Sequence, residues 1–357
     1  MRIWYSVHGH GLGHAVRSEP IIASLQKKHE VFITAANKAF SYLSMRFPKV
    51  EQLSGHDFVY RKNTLCPVET LLLALARQPR NWQRNRKALA AVRAFAPQLL
   101  ITDFEPVSAR VARRLGIPIL GIDNIRELSA CNINIPQGAA AEYQRASWFI
   151  KKFAPAVDQQ LIPSFSGAQP IDRKTTSMLS PIVREAVEHC KERQGAHVVV
   201  YQTSVTNTEM LDVLRLHPRK FGIYGMGRDA KEGNLQFQSE ITTDFLQDLA
   251  SAAYVIVNGG FTTISEALFL HKPVLAIPIH GQGEQSYNGH CLERLKYGAT
   301  TTRLTAEDLR AFEANLAKMR AALRQRPSWS QKKVHAKIER TVLQLSLRNI
   351  ANKPVIV

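Results

Sequence analysis

Short, nearly unbroken apolar runs recur along the chain, and each is separated from the next by a stretch with helical spacing. Ile3-Trp4-Tyr5-Ser6-Val7, Val31-Phe32-Ile33-Thr34, Leu99-Leu100-Ile101-Thr102 and Ile117-Pro118-Ile119-Leu120-Gly121-Ile122 are the runs of the first half. A strand without polar alternation has no wet face, so runs of this kind belong to a parallel sheet covered by helices on both sides. Helical spacing over residues 14–28, 68–95 and 105–115 supplies that cover. The second half repeats the alternation, with strands predicted at Val198-Tyr201, Phe221-Tyr224, Tyr254-Val257 and Val274-Ile277. Its helices are predicted at 242–250, 262–270, 284–296 and 305–322. A chain of 357 residues has room for two domains, and two doubly wound, Rossmann-like α/β domains facing a cleft are expected.

Between Pro155 and Gln194 the periodicity weakens, with prolines at 155, 163, 170 and 181 and a polar run from Asp172 to Ser177. The domain boundary is expected there, giving an acceptor-binding domain over 1–170 and a nucleotide-binding domain over 171–325. A basic helix and tail follow over 326–357, with Val334, Ile338, Val342 and Leu345 on one side.

Composition limits the partners. Forty-seven Lys and Arg against 29 Asp and Glu give a net charge of +18, yet 45% of residues are hydrophobic and 21% charged, so this is a core-forming chain. Arg77, Arg80, Arg84, Arg86, Lys87 and Arg93 fall in a stretch with no acid, and a second basic excess follows Arg303. Solvated helix faces, an anionic membrane surface, a phosphorylated substrate and nucleic acid all remain open from charge alone. No helix-turn-helix, zinc-finger or RNA-recognition signature accompanies the charge, which disfavours nucleic acid.

The four cysteines, at 66, 131, 190 and 291, form no C-x-x-C pair, so neither a disulfide framework nor a zinc ribbon is supported. The first apolar run is too short for a signal peptide. Leu71 to Ala76 and Pro273 to Ile279 fall far below the roughly 18 residues that a membrane span needs. A cytoplasmic protein is expected, with peripheral attachment to the inner membrane face open.

Three loops carry candidate chemistry. The first is His8-Gly9-His10-Gly11-Leu12-Gly13-His14, where glycines allow close backbone approach and a helix start attracts anions. A dinucleotide fingerprint would place a third glycine where His14 stands and an acid after the second strand, and neither is found. Three histidines on a tight turn, with no helical pair and no nearby carboxylate, do not make a metal site. His10, Gly11 and Gly13 therefore read as an acceptor or phosphate loop. His14 reads as a catalytic or acceptor-binding group, or as a simple helix cap.

The second loop is Thr102-Asp103-Phe104-Glu105-Pro106, past the carboxyl end of a predicted strand, where ligands of open parallel sheets bind. Asp103 and Glu105 are candidate catalytic carboxylates, the alternative being that Asp103 caps the next helix. Asp123-Asn124 ends the following strand in the same way.

The third loop is Asn258-Gly259-Gly260-Phe261-Thr262-Thr263, which leads through Glu266 to Pro273-Pro278 and then to Gln282, Glu284, Gln285 and Asn288. Two glycines and two threonines at a helix start make an anion cradle suited to a pyrophosphate. Glu266, one turn on, suits ribose hydroxyls, and Glu284 and Gln285 suit a sugar.

With these residues in view, the sequence resembles nucleotide-sugar glycosyltransferases of the GT-B fold, especially the peptidoglycan N-acetylglucosaminyltransferase and monogalactosyldiacylglycerol synthase group. The likeness is strongest over 254–298 and is supported by the His-Gly-x-Gly-His motif at 10–14. It implies a nucleotide diphosphate sugar co-substrate, usually UDP-linked, with no further cofactor and no metal. Gly259, Gly260, Thr262 and Thr263 would hold the phosphates, Glu266 the ribose, and Gln282, Glu284 and Gln285 the sugar side. Thr203-Ser204 matches the other phosphate-side loop, Gln238 to Leu246 would line the base, and the last helix would cross back to the first domain. Gly281-Gln282-Gly283-Glu284 departs from the pattern of many relatives.

The implied reaction is an inverting sugar transfer, with His14 or Asp103 taking the proton of an acceptor hydroxyl that is lipid-linked or part of the cell envelope. Two rivals are a non-hydrolysing UDP-sugar 2-epimerase, which needs no acceptor, and a nucleic-acid-binding or regulatory protein with a degenerate donor domain.

Overall fold

The computed structural model describes residues 1–9, 11–54, 60–61, 64–65, 78–136, 139–202, 207–239 and 243–351. Two seven-stranded sheets form its centre. The first contains β1 (Arg2–Val7), β2 (Glu30–Ala36), β3 (Val50–Leu53), β4 (Leu99–Asp103), β5 (Ile119–Ile122), β6 (Gln159–Pro163) and β7 (Thr176–Leu179). Their spatial order is 7-6-5-4-1-2-3, and every pairing is parallel.

The second sheet contains β8 (Val198–Tyr201), β9 (Phe221–Tyr224), β10 (Ala230–Glu232), β11 (Leu235–Gln238), β12 (Val255–Val257), β13 (Val274–Ala276) and β14 (Gly298–Thr300). Its order is 10-11-9-8-12-13-14, parallel except where β10 pairs antiparallel with β11. In both sheets the first strand of the unit lies beside the fourth parallel one, so strand order reverses between β1 and β4 and again between β8 and β12. Crevices at such reversals are where open parallel sheets bind ligands.

Strand β1 shows how one segment commits both faces. Ile3, Tyr5 and Val7 point into one apolar cluster and Trp4 into another on the opposite face, all with no exposure. The indole N–H of Trp4 is satisfied by Thr34 Oγ1 at 2.8 Å. Against the Ile3 face pack α1 (Gly13–Gln26), α2 (Asn37–Ser44) and the last helix, Gln331–Ala351. That helix inserts Val334, Ile338, Val342 and Leu345 into the cluster, each burial contributing roughly 1.5–3 kcal/mol. Gln331 fastens its start to the linker, donating to the Pro181 carbonyl at 2.9 Å. Against the Trp4 face pack α3 (Gln78–Phe95) and α4 (Pro106–Arg114).

The change of sheet falls between Leu179 and Val198, not near residue 170. Residues 176–179 pair in parallel with β6, and this edge strand escapes a sequence reading because Thr176 and Ser177 interrupt its apolar pattern. The helix expected over 305–322 is two helices, Ala306–Ala314 and Leu316–Arg324, divided at Asn315. Residues 68–77 of the helix expected at 68–95 lie outside the described residues.

The second half carries α6 (Glu209–Arg215), α7 (Thr243–Ser251), α8 (Phe261–Phe269) and α9 (Gly283–Arg294), and the two halves pack directly on one another. Helix α5 (Ala140–Phe153) of the first half lies against α9 (Gly283–Arg294) of the second, so closely that a Cβ on Gly283 would come 2.7 Å from the Ala146 Cβ. Glu127 is 4% exposed and joins the halves, accepting hydrogen bonds from Tyr287 Oη at 2.9 Å and from Ser166 Oγ. Ser286 Oγ donates to Glu142 at 2.9 Å beside them.

Candidate active site

The two strand-order reversals face each other, and a polar network runs between them. In the first half, β1 and β4 bring Val7 level with Asp103, and the His8 N–H donates to the Asp103 carbonyl at 3.1 Å. The chain then turns through Gly11, at φ +74°, and enters α1. One turn of α1 presents His14, Arg17 and Ser18 to the end of β4.

Asp103 has no solvent exposure and is fully engaged. Its Oδ1 lies 2.8 Å from His14 Nδ1, Arg17 Nη2 donates to both oxygens at 2.7 and 2.8 Å, and Ser18 Oγ donates to Oδ2 at 3.3 Å. Burial pushes this carboxyl up, but the Arg17 guanidinium and His14 outweigh burial and hold it below the ordinary aspartate range. Burial likewise opposes the charge on Arg17, and Asp103 overcomes it. Arg17 Nη2 also sits 3.2 Å from His14 Nδ1, but two donors cannot share a bond. The pattern therefore assigns the imidazole proton to Nδ1, pointing at Asp103, and the lone pair to Nε2. His14 keeps an edge to solvent, with 11% of its side chain exposed, and His8 packs edge-on against it at 5.2 Å. A base with its lone pair outward and its other nitrogen held by a buried carboxylate can take a proton from a hydroxyl.

Arg17 extends the network. Its Nη1 donates to Asn124 Oδ1 at 2.6 Å, and Asn124 Nδ2 donates to Glu284 Oε1 at 2.8 Å, crossing from one half to the other. A second crossing lies nearby, where Thr262 Oγ1 donates to the Gly13 carbonyl at 3.0 Å.

Thr262 belongs to α8 (Phe261–Phe269), which starts at the second strand-order reversal. Gly259 at φ +90° makes the turn, and a Cβ there would meet the Gln285 carbonyl at 2.8 Å, so both conformation and space call for glycine. A Cβ on Gly260 would meet nothing within 4 Å. The helix's first turn carries N–H groups with no intrahelical acceptor, and no side chain caps them. Asn258 and Asn288 brace the turn: Asn258 Nδ2 donates to Gln202 Oε1 at 2.7 Å and Asn288 Nδ2 to the Gly259 carbonyl at 2.9 Å. This is a backbone cradle with the positive end of a helix behind it.

The remaining candidates are placed less uniformly. Glu105 does not share the His14 cluster: its oxygens accept from the Val107 and Ser108 N–H groups at 3.0 and 2.6 Å, capping α4 with Pro106 at the first helical position. The helix-capping role weighed for Asp103 falls to Glu105 two residues later. Glu266, 1% exposed, is held by Arg184 through two bonds of 2.7 Å. Gln285 Oε1 accepts from the Ile279 N–H at 2.9 Å, and Gln282 immediately precedes α9. Thr263 lies half-buried in the first turn of α8. His10, Thr203, Ser204 and the 240–242 portion of the base-lining stretch lie outside the described residues. Arg17 and Arg184 are central here, and no motif in the sequence marks either of them. The available signal for Arg17 is its spacing, three residues after His14 and so on the same side of α1.

The glycosyl transferase family 1 model matches residues 1–317. This chain belongs to that family. The transferase also shares its fold with solved glycosyltransferases over nearly its whole length. It is 13% identical to the calicheamicin glycosyltransferase CalG4, covering 99% of each chain with a TM-score of 0.66. Against the spinosyn rhamnosyltransferase SpnG the figures are 14% identity, 96% and 100% coverage and a TM-score of 0.62. Against UGT2 of Phytolacca americana they are 12%, 91% and 93%, and 0.60. Among curated proteins no sequence matches it. The two-sheet architecture is thus the GT-B fold, and the enzyme is a glycosyltransferase.

Proposed function

We propose that this transferase moves a sugar from a nucleotide diphosphate sugar, UDP-linked, to an acceptor hydroxyl with inversion at the anomeric carbon. The observation that carries this reading is the Thr262–Gly13 hydrogen bond, which sets the uncapped start of α8 directly against the helix that presents His14. On one side stands a base, on the other an anion cradle, as displacement by an acceptor with a diphosphate leaving group requires. SpnG has been solved with thymidine diphosphate and with spinosyn aglycone, and UGT2 with UDP-2-fluoro-glucose and pterostilbene. Both neighbours support a nucleotide donor and a separate acceptor.

In this scheme His14 Nε2 takes the hydroxyl proton while the acceptor oxygen bonds to the anomeric carbon. The bond from that carbon to the diphosphate breaks, and its electron pair leaves with the phosphate oxygen. Asp103 holds the imidazole and stabilises the imidazolium. Gly259, Gly260, Thr262 and Thr263, with Thr203 and Ser204, hold the diphosphate as its charge grows. Glu266 accepts from the ribose hydroxyls: Arg184 occupies one lone pair on each oxygen and fixes the carboxylate plane, which leaves a second pair on each. Glu284, Gln285 and Gln282 face the sugar. By the sequence resemblance alone, the acceptor in this proposal is lipid-linked or part of the cell envelope.

The test is a nucleotide-sugar panel read by thermal shift and by product formation, on the wild type and on His14→Ala. We expect a UDP-sugar to raise Tm equally in both and transfer to fall roughly 10²–10⁴-fold in the variant, the range for losing a general base. Wild-type transfer rates in His14→Ala, or no nucleotide-dependent shift in either protein, would overturn the scheme.

A further inference from the structure

We propose that the outward face of α5 is a membrane-docking surface that seats the transferase on an anionic lipid bilayer. The inference gives the lipid-linked acceptor reading a location, but it stands on the surface of one helix and does not depend on the donor.

Helix α5 spans Ala140–Phe153, about 21 Å at 1.5 Å per residue. Its inner face, Tyr143, Ala146 and Ile150, packs into the core shared by the two halves. The outer face carries Trp148, Phe149 and Phe153, exposed by 64, 42 and 52%. Among the described residues, every tryptophan and phenylalanine with a large exposure lies on this helix. Phe149 and Phe153 lie one turn apart with ring centroids 4.4 Å apart and planes tilted by 38°, so they form one apolar ridge. Burying aromatics is worth more than most side chains offer, so leaving three in water on one helix is a cost that a partner would relieve.

The charge beside the ridge selects the partner. Arg145, Lys151 and Lys152 are exposed on the same helix, while its acid, Glu142, is turned inward onto Ser286. Aromatic rings flanked by lysine and arginine match the interface between headgroups and acyl chains of an anionic leaflet. A protein partner would present acidic side chains to the same cations, but the chain's net charge of +18 makes a second copy a poor candidate. No helix among the described residues is long and apolar enough to cross a membrane, so the ridge would lie in the surface and not lead a spanning segment. The location is apt, because the opposite face of α5 touches α9, which carries Glu284 and Gln285 of the donor half.

The test uses the full chain and vesicles of phosphatidylcholine with 30% phosphatidylglycerol, read by co-sedimentation in low and high salt. A triple variant, Trp148→Gln, Phe149→Gln and Phe153→Gln, removes the ridge. A second, Arg145→Gln, Lys151→Gln and Lys152→Gln, removes the charge and should weaken binding roughly a hundredfold in low salt. These side chains point to solvent, so an unchanged Tm and an unchanged nucleotide-induced shift should show that fold and donor site are intact. The expected result is strong wild-type binding, loss in both variants, and quenching of Trp148 fluorescence by brominated acyl chains. Failure of the wild type to bind, or binding that survives loss of the ridge, would overturn the proposal. So would a concentration-dependent dimer abolished by the ridge variant, or a raised KM for a soluble acceptor in place of lost vesicle binding.

Discussion

His14 and Asp103, 89 residues apart in the chain, meet through Nδ1 and Oδ1 at 2.8 Å, and only His14 keeps an edge to solvent. Their order of action follows from that asymmetry. Asp103→Asn preserves size but offers an amide donor to Nδ1, which drives the imidazole proton to Nε2 and removes the outward lone pair. We expect kcat to fall about 100-fold or more while the nucleotide-induced Tm shift is retained. Steady-state kinetics beside thermal shift will show this, and an unchanged kcat would remove Asp103 from the positioning role.

Arg17 makes the carboxylate of Asp103 tolerable in the core. Its replacement by leucine strands a buried charge, at a cost of about 3–5 kcal/mol near neutral pH. The sign of the pH dependence distinguishes this from a simple packing loss. In the wild type the Asp103 carboxyl is depressed on folding, so its contribution is present above the unfolded pKa of roughly 3.9 and is lost only below it. Without Arg17, burial is the largest remaining influence and raises the carboxyl against His14, so stability is expected to be greatest in acid and to fall as pH rises. Denaturant melts at pH 5 and pH 8 should show the gap between Arg17→Leu and wild type widening at pH 8.

What could be read from the sequence was local. The opening strand, turn and helix are legible because Ile3 to Val7 and the glycines at 9, 11 and 13 satisfy one rule within a few residues. The same holds for Gly259 to Thr263. What could not be read depends on partners far along the chain. Arg17 looks like a solvated helix charge until Asp103, 86 residues on, is folded against it. Arg184 looks like a linker charge until α8 brings Glu266, 82 residues on, within 2.7 Å. Thr176 to Leu179 looks like loop because an edge strand needs only part of an apolar face. Asp103 and Glu105 show the limit most clearly: either residue could start the helix by its chemistry, and only the turn at Phe104, with φ +55°, decides that Glu105 caps and Asp103 faces inward.

Glu127 sits where the halves meet, and burial raises its carboxyl above the ordinary range despite hydrogen bonds from Ser166 and Tyr287. A raised acid gives its full contribution below the unfolded pKa of about 4.3 and loses it as pH rises through the folded value. Glu127→Gln keeps a carbonyl oxygen for both donors and has nothing to ionise. Its stability relative to wild type is therefore expected to increase between pH 4.5 and pH 8, read from urea midpoints. A constant difference across that range would show that Glu127 does not titrate at this interface.

The Arg184–Glu266 pair separates a structural role from a binding role. Both groups are largely buried, with 12 and 2% side-chain exposure, and burial opposes the charge on Arg184 until Glu266 overcomes it. Glu266→Ala alone should cost about 3–5 kcal/mol because the guanidinium is left without its partner. Loss of nucleotide binding in that variant would prove little. The double replacement Arg184→Met, Glu266→Met removes both charges together, and apolar substitution of a buried pair is often neutral in stability. We expect the double variant to recover most of the lost Tm yet show no shift with UDP, because its ribose acceptor is gone. Recovery of both stability and nucleotide binding would mean that Glu266 serves the fold alone and that the ribose is gripped elsewhere on the α8 cradle.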